Sequence, residues 1–227
     1  KVITRLASHK NTADFLARKM CTYLVADDPP QELVSEISRF MKKSKFDMRA
    51  TTIRILRSDE FRSRKHFRRK FKTPFEFIAS ALRVTNSKII STQRLLRDLE
   101  EMGQPIYRCE DPTGVMAVRW KFAMDLVSEK IKGVKIPTEF FDGIKGQRDA
   151  TMIKRLGDKI LPGGLRPRTI STLLRVCKKQ RMDILEEQHL IELAELDGEE
   201  PPKKKTRIPI EKRLLAVLLG SPEFQRQ

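Results

Sequence analysis

Between Arg62 and Lys72 the chain carries Arg62, Arg64, Lys65, Arg68, Arg69, Lys70 and Lys72, seven cations with no acidic residue, interleaved with Phe67 and Phe71. Cations at that density bind phosphate, sulfate or carboxylate polymers through counterion release. If about half of them met phosphates, log affinity would fall against log salt with a slope of roughly −3. Two plainer readings stand beside that one. The run is a solvated face whose Phe67 and Phe71, at i and i+4 of a helix, staple it to the core, or it docks on the acidic stretch Asp183–Glu200, which holds eight acids and no Lys or Arg. With the phenylalanines as stacking platforms, nucleic acid is an alternative partner.

Other reactive groups are scattered. His9, His66 and His189 lie more than 50 residues apart, and none has a second His or Cys at ligand spacing, so no metal site is expected. Cys21, Cys109 and Cys177 are odd in number and far apart, which argues for buried free thiols rather than disulfides. Cys109 adjoins Glu110 and Asp111, whose charge would raise a thiol pKa and oppose its use as a nucleophile. The acidic pairs Asp27–Asp28, Asp59–Glu60 and Glu110–Asp111 sit at turns or helix starts, where the helix dipole favours carboxylates. Pro162–Gly163–Gly164 lacks the Lys-Ser/Thr of a phosphate loop, and Lys203–Lys204–Lys205–Thr206–Arg207 reads as linker charge rather than an import signal. No catalytic residue and no cofactor is expected.

One loop could build a site. Met102–Val115 begins as a helix stop at Gly103, then mixes prolines and glycines with polar and aromatic groups. Gln104, Tyr107, Glu110, Asp111 and Gly114 are its candidate site residues.

These groups need a scaffold. At 227 residues the chain can bury roughly 70% of its unfolded surface, and 39% hydrophobic residues suffice for a core. The net charge of +17 points to an anionic partner and says nothing about fold. No apolar run near 18 residues occurs, so neither a membrane span nor a signal peptide is expected in this stretch.

Helical spacing dominates. Asn11–Thr12 caps a helix with the stripe Leu16, Met20, Tyr23 and Leu24, and Asp28 caps one with Leu33, Val34, Ile37, Phe40 and Met41. Asp47 precedes Met48, Thr52, Ile55 and Leu56. Thr73–Pro74–Phe75–Glu76 is a capping box ahead of a face made by Phe75, Ile78, Ala79 and Leu82. Leu95, Leu96, Leu99 and Met102 form the next stripe. Arg119–Val127, Thr169–Cys177, Ile184–Leu196 and Ile210–Leu219 read as further helices, and Glu199–Lys205 as an exposed linker. The fold class expected is all-α, an irregular bundle of eight to ten helices. A turn echo links Ser58–Asp59–Glu60–Phe61 with Ser221–Pro222–Glu223–Phe224, each with Ser as cap and Phe folded back on the core.

Several of these pieces recur in order: Thr12–Lys19, Asp27–Pro30, Phe46–Arg49, Ser58–Phe61, Lys72–Glu76, Gly103–Tyr107, Arg119–Ala123 and Ser221–Gln225. That order resembles the bacterial family catalogued as domain of unknown function 1800. The resemblance implies a mainly helical fold, the C-terminal part of a longer exported protein, and a gene neighbourhood shared with a second exported family. It brings no activity. Relatives run from the Gly-Gln-Pro piece through Pro-Pro-Asp-Val-x-Gly-Trp, whereas here a shorter Cys109–Val115 keeps only the Asp-x-x-Gly skeleton.

The organisation expected is a main helical domain over 1–130, a helical extension over 131–200, a linker over 201–209, and a C-terminal helix over 210–227 packing back on the core. The leading function is a non-catalytic interaction or scaffold module holding an acidic protein or polymer, with a neighbouring exported protein as one candidate partner. A nucleic-acid-binding protein is the alternative. A further one is an enzyme with active groups in an N-terminal region outside this chain.

Overall fold

A computed structural model of the chain describes all residues other than 8, 10, 106–115, 198–199, 201–202, 204–205 and 227. The described residues form eleven α-helices and a single two-stranded ribbon, so the fold is all-α. The chain divides into two compact units, Lys1–Phe71 with Arg226, and Lys72–Gln225. No helix among the described residues is long and apolar enough to cross a membrane.

The first unit holds α1 (Val2–Ala7), α2 (Thr12–Leu24), α3 (Gln31–Lys43), α4 (Met48–Leu56) and α5 (Asp59–Arg62). Its core runs along Ala13, Ala17 and Cys21 of α2, all fully buried, rather than along the larger residues of the expected stripe. Small side chains at i, i+4 and i+8 let Leu33, Val34, Ile37 and Met41 of α3 come close. Leu16, Met20 and Leu24 flank that line, and Tyr23 is exposed. The N-cap of α3 is Pro30, not Asp28: the extended Pro30 (ψ 133°) starts the helix itself, its carbonyl accepting from Val34 N at 3.1 Å. Asp47 caps α4 by accepting from Ala50 N at 2.9 Å, and Ser58 caps α5 by accepting from Phe61 N at 3.2 Å.

The second unit contains α6 (Pro74–Val84), β1 (Lys88–Ile89), α7 (Gln93–Glu101), α8 (Met116–Val127), β2 (Val134–Lys135), α9 (Asp149–Ile160), α10 (Pro167–Asp197) and α11 (Ile210–Leu219). The capping box forms, with Glu76 N donating to Thr73 Oγ1 and Thr73 N donating to Glu76 Oε2 at 2.8 Å. Its helix turns Phe77 inward and leaves Phe75 exposed, because α6 buries Phe77, Ile78, Ala81 and Leu82. On α7, Leu95 and Leu99 are buried, with Met102 just beyond the helix, and Leu96 faces out. The expected helices Thr169–Cys177 and Ile184–Leu196 are one continuous α10 of 31 residues. The stretch Lys178–Asp183 between them has Met182 as its one apolar residue, which thins the apolar signal, yet it holds no Gly or Pro to stop a helix.

β1 and β2 pair antiparallel, Lys88 opposite Lys135 and Ile89 opposite Val134, with Gly133 at φ +82° accepting from Ile90 N at 2.7 Å. The core gathers Phe122, Ala123 and Leu126 of α8 with Leu214, Leu215, Leu218 and Leu219 of α11. The two capped turns differ in outcome: Phe224 N donates to Ser221 Oγ and Phe224 is buried, but Phe61 is exposed.

At the end of α11, Gly220 lies under the indole of Trp120. A Cβ added there would stand 2.9–3.1 Å from the ring. Gly220→Ala is therefore expected to push Trp120 aside and cost about 1–3 kcal/mol. Trp120 is the chain's single tryptophan, so its emission spectrum and a urea titration of that signal check both effects.

Candidate functional site

The basic run is not a helix. After α5 ends at Arg62, Ser63 caps a single 3₁₀ turn over Arg64–His66, and Arg68 takes a left-handed φ of +57°. Phe67 and Phe71 consequently have no helical i, i+4 relation, and Phe67 is 58% exposed rather than stapled into a core. Arg62, Arg64, Lys65 and Arg69 face solvent. Arg62 donates to Arg57 O at 2.8 Å, and the Arg68 guanidinium stands 5.1 Å from the Phe67 ring centroid.

The last two cations turn inward. Lys70 is buried, its Nζ donating to Tyr23 O at 2.7 Å and standing 4.2 Å from the Tyr23 ring. Lys72, also buried, holds its Nζ 4.0 Å from the Phe224 ring. Both are structural in their placement, and the outward charge belongs to Arg62–Arg69.

The loop divides similarly. Gly103 at φ +84° ends α7 in a Schellman-type cap: Gln104 N donates to Leu99 O and Gly103 N to Glu100 O, each at 2.9 Å. Gln104 Oε1 then accepts from Phe75 N at 2.9 Å, satisfying a first-turn amide of α6. Tyr107, Glu110, Asp111 and Gly114, with Cys109, lie outside the described residues.

A buried polar centre joins residues that periodicity did not single out. Arg119 is fully buried on α8, donating from NH1 to Gln225 Oε1 at 2.9 Å, with its guanidinium 5.4 Å from the Phe77 ring centroid. Burial lowers its pKa to about 10, against the opposing charge of Glu76, so it stays cationic at neutral pH. Gln225 Nε2 donates to Leu219 O at 3.1 Å, while Gln225 O accepts from Lys72 N at 2.9 Å. Nearby in sequence, the buried Glu223 accepts from Thr169 Oγ1 at 2.5 Å and from Arg166 N at 3.3 Å, capping α10. Arg119 shares its helical face with Phe122, Ala123 and Leu126, and a cation inside an apolar stripe was the available signal.

Cys21 and Cys177 are buried free thiols, burial pushing Cys21 up to about 11 and Cys177 in the same direction. Asp98 on α7 is raised by burial while accepting from Arg94 Nε at 3.1 Å. No three His, Cys, Asp or Glu side chains among the described residues come together to hold a metal ion.

The model of a family described as protein of unknown function, DUF1800, matches residues 1–226. No curated protein and no solved structure matches the chain.

Proposed function

We propose, for a chain that belongs to the DUF1800 family of proteins of unknown function, that it is a non-catalytic helical module whose basic segment Arg62–Arg69 holds an acidic protein or polymer. The observation that carries this is the solvent-facing set Arg62, Arg64, Lys65 and Arg69, on a turn with no acidic side chain among its residues. Such cations keep their counterions until a polyanion displaces them, which favours association at low salt. We assign the protein an exported location, which only the family resemblance supports, and take a neighbouring exported protein as one candidate for the acidic partner. Fractionation of producing cells tests the location.

Binding to heparin across a salt series tests the surface. The expected slope of log affinity against log salt is about −3 to −4, from four contacts. Arg64→Glu/Lys65→Glu/Arg69→Glu should flatten it towards zero and abolish retention at about 0.15 M salt. Surface changes of this kind alter stability by only about 0.5 kcal/mol each. Equal binding by the triple variant would overturn the proposal.

The nucleic-acid reading has its own observation, the exposed Phe67 ring beside Arg68. If that ring stacks on a base, Phe67→Ala lowers affinity for single-stranded DNA by about 5–150-fold, the equivalent of 1–3 kcal/mol, and leaves heparin binding unchanged. Equal effects on both ligands, or none, favour the general polyanion surface.

A further inference from the structure

The longest helix carries a face that neither core cluster uses. α10 buries Leu173 and Cys177 on one side. Beginning beside that buried pair and running round the exposed side, it presents Ile170, Leu174, Met182, Leu185, Leu193 and Leu196, between 37% and 82% exposed. At 100° per residue these six fall within an arc of about 140°, one continuous seam along the helix. From Ile170 to Leu196 the seam spans 27 residues, nearly four heptads, within the range over which an apolar seam pairs with a second helix.

Charge along α10 is segregated as well. Residues 166–181 contribute Arg166, Arg168, Arg175, Lys178, Lys179 and Arg181 with no acid, and residues 183–196 contribute Asp183, Glu186, Glu187, Glu192 and Glu195 with no Lys or Arg. A parallel neighbour with the same sequence would set like charge against like. Turned end for end, the same sequence sets each basic half against an acidic one.

Four of the six apolar positions obey the same symmetry. About a midpoint between Asp183 and Ile184, Met182 is level with Leu185, Leu174 with Leu193, and Lys178 with His189. Two copies crossing at that midpoint therefore place leucine against leucine or methionine at matching heights, with the Lys178–His189 polar level, of the kind that fixes register, occurring once on each side of the midpoint. At one end of the seam, Ile170 and Leu174 also line an apolar groove of about 270 Å³ with Ile153, Gly157 and Leu165. The level of that groove is the level of Leu193 and Leu196 in the other copy.

We infer that α10 is a self-complementary interface through which two copies of this chain pair antiparallel, each seating the Leu193–Leu196 end of its helix against the other's groove. This is a closed two-fold contact in which the same patch serves both partners, and it does not depend on the basic turn at Arg62–Arg69.

The test uses the whole chain. Sedimentation equilibrium is expected to show a dimer at tens of micromolar, and Met182→Glu/Leu185→Glu, both exposed positions, to raise the dimer dissociation constant at least tenfold with helical content unchanged. Orientation is read by disulfide trapping in a Cys109→Ser background. A mixture of Leu174→Cys and Leu193→Cys chains should crosslink between the two variants, identified by mass spectrometry of the joined peptides. A monomer at every concentration overturns the inference, as does crosslinking of Leu174→Cys to itself in preference to Leu193→Cys, or a dimer indifferent to the seam variants.

Discussion

Arg119→Ala is expected to destabilise the second unit by about 3–5 kcal/mol, the cost of breaking a buried charged network and leaving a cavity behind. The reason is local. The guanidinium is fully buried, holds Gln225 Oε1 at 2.9 Å and lies against the Phe77 ring. Gln225 in turn ties the end of α11 to Lys72 through Leu219 O and its own carbonyl. Alanine removes both the cation and the volume that separates α8 from the last turn. For a domain of this size the loss corresponds to a fall in Tm of about 10 °C. Urea unfolding followed by Trp120 emission reads it directly, since the indole is the next residue. Arg119→Met restores apolar volume and should recover part of the loss, because a buried charge has a desolvation cost that methionine avoids. A change below about 1 kcal/mol in Arg119→Ala would show that the centre does not hold the unit together.

Local chemistry was legible where one residue type answers one backbone need. The Thr73–Glu76 box, the Asp47 and Ser58 caps and the left-handed Gly103 all stand where the sequence puts them. The all-α class follows from the same periodicities. What failed was the choice of face. On α2 the larger residues looked like core, but close helix approach selects Ala13, Ala17 and Cys21, which carry little hydrophobic signal. The basic run read as a helical stretch because Phe67 and Phe71 are four apart, whereas no sequence rule foretold the left-handed Arg68 that breaks it. Of the candidate site, the outward cations were visible in composition. The inward turn of Lys70 and Lys72 was not, since each is fixed by a partner distant in sequence, Tyr23 and Phe224. Arg119 was read only as the first residue of a helix and as part of the resemblance, and the partner that accepts from it, Gln225, lies 106 residues further along.

Phe75 and Phe77 of α6 turn that error of face into a measurement. Phe77 is fully buried and meets Phe122 and Phe224 edge to face, with ring centroids 5.8 and 5.9 Å apart at interplanar angles of 67° and 77°. Phe75, two residues earlier, is 61% exposed. Phe77→Ala is expected to cost about 3–5 kcal/mol, combining lost transfer energy with the cavity between α6, α8 and the last turn. Phe75→Ala should stay within about 0.5 kcal/mol. Because the Arg119 guanidinium lies over the Phe77 ring, the two large effects share an interaction. The double variant Phe77→Ala/Arg119→Ala should therefore cost less than the sum of the singles, by about 0.5–2 kcal/mol. Strict additivity in that cycle would mean that the cation and the ring are held in place by separate parts of the core.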